Sequence, residues 1–296
     1  MNMNASSHCR KGFVLISVLM LGTLLLAAAT ALTWFARSMA KSIAGKRAQL
    51  EARSFARVVT DSVVALIAGL GEHTDYDSPT QKWYQPVAVS MGEGEFCIVK
   101  VTPLDDKIPI RSLFLPDNNT LRNEFKDVWA DMWEKLGRKE LGDVVLDLMD
   151  KNDKPRVGST ELKGWLNRPV YDLGELMVLS DEITPEMFSR LENYVTLWSD
   201  GHINLNTAPL QVLELLPGLD IYGLAERLVS YRADTPLQSI SDVEKLPGAT
   251  AKTTSRLNNI ATVKSRYIEV KITTEALTFR AIVDRTTKNI LLWEEL

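Results

Sequence analysis

The feature that most constrains this chain is an apolar run near its amino terminus. From Phe13 to Ala36 no side chain is charged, while Arg10 and Lys11 stand just before the run and Arg37 just after it. As a helix rising about 1.5 Å per residue the run would be roughly 36 Å long, enough to cross a hydrocarbon core of about 30 Å. A secretory signal peptide has a shorter apolar core, followed by a small-residue cleavage site. Here the small residue, Gly12, comes before the apolar run. A cut after it would remove a basic leader, leave Phe13 as the new amino terminus and retain the anchor. An ordinary single-pass anchor behind Lys11-Gly12 shares these residues.

The 296 residues leave room for about two domains beyond the anchor. The net charge is -4, and losing Arg10 and Lys11 with the leader would make it -6. An acidic protein gains nothing from long-range attraction to phosphate backbones, which disfavours generic nucleic-acid binding. Cys9 precedes the apolar run, whereas a lipid-modified cysteine would follow it; the remaining Cys97 has no partner for an internal disulfide. Lys41, Lys46 and Arg47 add positive charge beyond Arg37, so loop charge alone does not orient the anchor.

The helical pattern continues past the anchor. Between Arg37 and Leu70 there is no proline, and Ala48, Ala52, Phe55, Val59, Val63, Leu66 and Leu70 recur at spacings of four and three. That spacing predicts one apolar face. After a polar connection, Val87 to Ser90 and Phe96 to Thr102 read as strands, with Gly92 and Gly94 suited to the turn between them. From Pro103 to about Ile260 the period becomes helical: Leu121 to Leu136, Leu141 to Met149, and a helix opened by Thr184-Pro185. Strand patterning returns in Arg266 to Thr274, Ala276 to Arg285 and Asn289 to Trp293. The simplest arrangement pairs both strand regions in one sheet packed on the spine helix, with the helical block inserted into an α+β unit.

The most specific internal pattern is His202-Ile203-Asn204-Leu205-Asn206-Thr207-Ala208-Pro209, followed by Leu216-Pro217-Gly218-Leu219 and its second copy Leu246-Pro247-Gly248-Ala249. It predicts tandem helix-hairpin-helix (SAM-like) units turning at Gly218 and Gly248. DNA-binding hairpins of this kind usually read Gly-hydrophobic-Gly, with bare backbone N–H groups meeting a phosphate. Here Asp220 and Thr250 replace the second glycine. From Asp200 to Thr262 seven acids (Asp200, Glu214, Asp220, Glu226, Asp234, Asp242, Glu244) outnumber five bases (Arg227, Arg232, Lys245, Lys252, Arg256). The electrostatic part of DNA affinity is therefore missing, and a membrane-tethered DNA receptor is the weaker reading.

Asp147, Asp150, Asn152 and Asp153 precede Pro155 and place hard oxygen donors close together. We take Asp147, Asp150 and Asp153 as a candidate calcium site, although the spacing is not that of an EF-hand and a solvated turn accounts for the same residues. No catalytic residue is expected. The histidines are His8, His73 and His202, and none stands in a nucleophile, Walker or His-Glu-x-x-His motif.

Gly12 and Phe13 at the start of the apolar run resemble the processing site of type IV pilin-like precursors, which a prepilin peptidase cuts on the cytoplasmic side. Over nearly its whole length the chain resembles the K subunit of the type II secretion system, its large minor pseudopilin. The residues that carry this are Gly12-Phe13-Val14-Leu15-Ile16, Trp83-Tyr84, Asn167-Arg168-Pro169, Asp172-Leu173-Gly174-Glu175-Leu176, Thr184-Pro185-Glu186-Met187-Phe188, Tyr194-Val195-Thr196 and Ile203-Asn204-Leu205-Asn206-Thr207-Ala208.

The resemblance implies a cleaved leader (1–12), an assembly and transmembrane helix (13–36), a pilin-like spine and first strands (37–102), an inserted helical domain (103–260) and carboxy-terminal strands (261–296). It implies a non-enzymatic inner-membrane protein, single pass, with the bulk of the chain in the periplasm and a methylated Phe13. Its place would be the tip of the pseudopilus, with the I and J minor pseudopilins, the inner-membrane assembly platform and secreted substrates as partners. Family members also carry calcium in the helical domain. Main pilins have a glutamate at the fifth mature position, where this chain has Ser17. A tip subunit has no neighbour ahead to pair such a carboxylate. A large helical block would also collide with the next subunit anywhere but at the end of a stacked filament. The alternatives are a membrane-anchored helix-hairpin-helix DNA-binding protein and a minor subunit of a type IV pilus, which would share the processing but assemble with different partners.

Overall fold

The computed structural model describes residues 6–70, 75–92, 95–157, 159, 166–179, 182–221 and 223–296. The chain divides into two compact units, residues 1–55 and 56–296. Helix α1, Ser6–Leu70, supplies the first unit and the opening of the second. Of the expected leader, residues 1–5 lie outside the described residues.

In the second unit β1 (Val87–Gly92), β2 (Glu95–Pro103), β7 (Tyr267–Thr273), β8 (Thr278–Asp284) and β9 (Asn289–Glu295) form one antiparallel sheet in the order β1-β2-β7-β8-β9. The two distant strand regions join where β2 pairs with β7, Val99 opposite Ile272 and Val101 opposite Val270. Alternation sets the faces: Cys97, Val99 and Val101 are buried while Phe96, Ile98 and Lys100 are exposed. Gly92 ends β1 at φ 98°, a conformation that side-chain-bearing residues avoid.

The last turns of α1 bury Ala56, Val59 and Thr60, and Arg57 lies over the Trp293 ring of β9, 5.5 Å from its centroid. This corrects the expected face in part. Val59 is buried as predicted, but Leu66 is 58% exposed. The buried stripe is rotated toward Ala56 and Thr60, whose small side chains take up little room, and the Thr60 hydroxyl is satisfied by the Ala56 carbonyl at 2.9 Å.

The helical block contains α2 (Asn123–Lys135), α3 (Leu141–Met149), α4 (Pro185–Leu191), α5 (Leu210–Leu213), α6 (Leu224–Asp234) and α7 (Ala251–Leu257). Two short parallel ladders brace it: β3 (Ile108–Pro109) on β4 (Val195–Thr196), and β5 (Ile203–Asn204) on β6 (Ala261–Thr262). Its apolar side chains form a continuous core running from Ile108 to Val263. Because β6 pairs with β5, residues 261–262 belong to this block, and the sheet resumes only at Tyr267.

Local chemistry explains the helix ends and contacts. Thr184 Oγ1 accepts the Met187 N–H at 3.3 Å with Pro185 at the first helical position. Where α3 meets α2, the Trp129 indole donates to the Gly142 carbonyl at 2.9 Å. A Cβ at position 142 would come within 3.0 Å of the Trp133 ring, so glycine permits this approach.

Candidate functional site

Four regions carry the residues singled out from the sequence. The first is α1. It contains one stretch, Ile16–Leu66, long and apolar enough to cross a membrane; its most apolar window has a mean hydropathy of 2.1 and no buried residue. It is a candidate membrane anchor. Gly12 and Phe13 lie in the backbone of the same helix, near its start.

The second is the acidic loop after α3. The Asp147 and Asp150 side chains are both buried, and they converge on one guanidinium. Arg156 pairs with Asp147 and, at 2.7 Å, with Asp150, while its own backbone N–H donates to Asp147 at 2.9 Å. Burial outweighs Arg156 and leaves the Asp150 carboxyl above its ordinary pKa. Asp153 turns away and accepts from the Asn167 amide at 2.7 Å. The expected calcium trio is therefore not assembled. A positive group of the chain itself stands between two of the three carboxylates and the third is engaged elsewhere. Among the described residues no group of three or more acidic, histidine or cysteine side chains is placed to hold a metal ion.

The third is a polar joint built around the His202–Pro209 stretch. Asp105, just past β2, is buried, and its carboxylate accepts the backbone N–H groups of Tyr267 at 2.9 Å and Asp200 at 3.3 Å. Its carbonyl accepts from Asn204 at 2.6 Å. The Asn204 amide donates to Ser265 Oγ at 2.8 Å, and Ser265 N–H donates to Asp77 at 2.6 Å. Asn206 completes a two-way amide bond with the Leu237 backbone, 2.8 Å and 2.9 Å. Arg232 donates to the carbonyls of Leu205 and Ala208. Burial pushes the Asp105 carboxyl up to about 7 and that of Asp106 up to about 6. His202 Nδ1 lies 2.9 Å from Asp200, which raises the imidazole pKa and lowers that of Asp200. Trp83 belongs to the same region: Arg285 lies over its ring at 5.5 Å while pairing with Asp77. Asp77 reads in the sequence as part of a polar connection, and nothing in the sequence marks Asp105 or Ser265.

The fourth is the pair of glycine turns. Gly218 (φ 97°) joins α5 toward α6, and Gly248 (φ 91°) precedes α7. Asp220 accepts the Gly218 N–H at 2.9 Å, as expected of a carboxylate that covers its own hairpin donor. In the second turn the Thr250 N–H is taken by Thr253 Oγ1 at 3.3 Å. Both turns thus satisfy these donors internally.

No family model matches the chain, and no curated protein is similar to it in sequence. Among solved structures it is similar to a chain of the GspK-GspI-GspJ complex from the type 2 secretion system of enterotoxigenic Escherichia coli. Identity is 12% and the TM-score 0.64, over 85% of this chain and 99% of that one. The chain therefore has the pilin-like α+β fold of that secretion-system subunit: a long amino-terminal helix, an antiparallel sheet and a large helical insertion.

Proposed function

We propose that this protein is the K-type minor pseudopilin of a type II secretion system, a non-enzymatic structural subunit. It is made as a precursor, cut after Gly12 by a prepilin peptidase, methylated at Phe13 and held in the inner membrane by α1, with the rest of the chain in the periplasm. It caps the pseudopilus tip together with I- and J-type pseudopilins and initiates assembly on the inner-membrane platform, in support of export of folded proteins. The observation that carries this reading is the fold likeness over 99% of a chain from a K–I–J complex. The leader residues Arg10-Lys11-Gly12-Phe13 support it independently.

The test is the intact mass and amino-terminal sequence of the protein from membranes that contain a prepilin peptidase. A chain beginning at methylated Phe13 is expected. Retention of residues 1–12 sinks the pseudopilin reading. Co-isolation with I- and J-type subunits, rather than with pilus subunits, separates the type II assignment from a type IV pilus.

A further inference from the structure

Among the described residues, an arginine that lies over an aromatic ring pairs with a carboxylate in every case but one. Arg57, Arg122, Arg156, Arg168, Arg266 and Arg285 each have both partners. A ring against the flat guanidinium leaves its N–H edge for the acid. Arg111 departs from this pattern. It lies over two rings, Tyr171 at 5.4 Å and Trp198 at 5.9 Å, and makes neither an ion pair nor a hydrogen bond with any described residue.

The local fold places it there. In the parallel ladder of β3 on β4, Pro109 stands opposite Thr196. Carried two residues on, that register brings Arg111 beside Trp198, and it holds at the next position, where Ser112 Oγ donates to the Ser199 carbonyl at 3.5 Å. On one side Tyr171 also carries Arg168 at 4.6 Å, and Arg168 holds Glu175 at 3.0 Å. On the other, Trp198 meets Tyr267 at 6.3 Å, and Arg266 over that ring holds Asp284 at 2.8 Å. The result is one row, Arg168–Tyr171–Arg111–Trp198–Tyr267–Arg266, with a carboxylate at each end and none at its middle. The acids closest in sequence to the two rings over Arg111 are engaged: Asp172 accepts the Gly174 N–H at 2.6 Å and Asp200 pairs with His202 at 2.9 Å. Tyr171 is 63% exposed and Arg111 and Trp198 are half-buried, so the middle of the row reaches solvent.

We propose that Arg111 receives a carboxylate from a partner polypeptide, with Tyr171 and Trp198 as flanking contacts. The row already performs this chemistry twice with the chain's own acids, at Arg168 and Arg266. Arginine, tyrosine and tryptophan are also the residues that dominate protein-binding hot spots, and a guanidinium resting on two rings has less freedom to lose on binding. A nucleic acid is the poorer occupant. Its backbone needs several cations along a strand, whereas Arg168 and Arg266 are neutralised by Glu175 and Asp284 and the whole chain is net -4. The inference does not depend on the pseudopilin assignment.

The experiment is fluorescence anisotropy on the full-length protein in detergent micelles at low ionic strength. The probes are a labelled glutamate-rich peptide, the same peptide with glutamine for glutamate, and a labelled DNA duplex. The glutamate peptide is expected to bind the wild type at least about tenfold more tightly than the glutamine peptide. R111Q is expected to abolish that preference, and R111K, which keeps the charge but not the planar fork, to weaken it by about threefold or more. Equal binding of the two peptides to the wild type overturns the proposal, as does glutamate-peptide binding weaker than about 1 mM. An unchanged preference in R111Q, or in R111K should R111Q fail to fold, overturns it too. Tighter binding of the duplex than of the glutamate peptide overturns it as well, and assigns the row to phosphate.

Discussion

The Asp77 carboxylate and the Arg285 guanidinium meet at 2.6 Å, with side chains 0% and 9% exposed. The pair is 208 residues apart in sequence and fastens the connection after α1 to the end of β8. Burial still holds the Asp77 carboxyl above its ordinary pKa despite the arginine. Removing one partner of such a pair strands the other charge, at a cost of about 3–5 kcal/mol. R285M is therefore expected to destabilise by that amount in chemical denaturation. The double variant D77N/R285M, which strands no charge, is expected to recover at least half of the loss. If the two single changes simply add, the pair is not coupled.

The joint also predicts a pH dependence. Asp105 and Asp106 keep their protons up to about 7 and about 6, whereas in the unfolded chain they release them near the ordinary carboxylate value. Between those limits the folded state binds more protons, so stability falls as pH rises through that window. His202 acts in the same direction. Its raised pKa contributes stability below the unfolded value of about 6.5, and that contribution is lost as pH rises through the folded value. Asp200 and Asp284, with lowered values, lose their contribution only in strong acid. The melting temperature by calorimetry is expected to be higher at about pH 5 than at about pH 8. In D106N the fall should shrink; a melting temperature that instead climbs from about pH 5 to 8 refutes the assignment.

Much of the fold was legible in residue patterns, and the exceptions share a cause. Strand β7 alternates apolar and polar residues, while β2 and β8 are legible as short β-branched and aromatic runs of strand length. Thr184-Pro185 announced α4 because capping is local chemistry. The joint was invisible because its members are far apart: Ser265 reaches Asp77 across 188 residues and Tyr267 reaches Asp105 across 162. Asn204 and Asn206 were noticed as a motif, but their bonds to Ser265 and Leu237 follow only from the fold. Asp147 and Asp150 suggest a metal because the short loop that brings Arg156 back onto them has no regular pattern to announce its path.

That return makes a prediction about calcium. If Arg156 is the cation that balances Asp147 and Asp150, a chelator leaves the melting temperature of the wild-type protein unchanged. R156A, which leaves two carboxylates buried together, is expected to lose about 3 kcal/mol or more. A large drop in melting temperature on chelation of the wild-type protein would instead show that a bound divalent ion supports the fold.

The last prediction tests the proposed tip position at Ser17, which would be the fifth residue after a cut behind Gly12. A carboxylate there lies within the apolar run but near its end, so without a partner it costs at most the roughly 2.5–3.5 kcal/mol of a mid-membrane position. On the proposed reading, a repeating subunit would offset that cost with the amine of the neighbour ahead, and a tip subunit would have no such neighbour. S17E is therefore expected to be processed normally but to reduce assembly, read as less co-isolated I- and J-type subunit and less export of a reporter enzyme. The position of the subunit is what decides the sign. Were the protein to repeat along the filament, the added carboxylate would meet an amine, and S17E would assemble as well as the wild type or better.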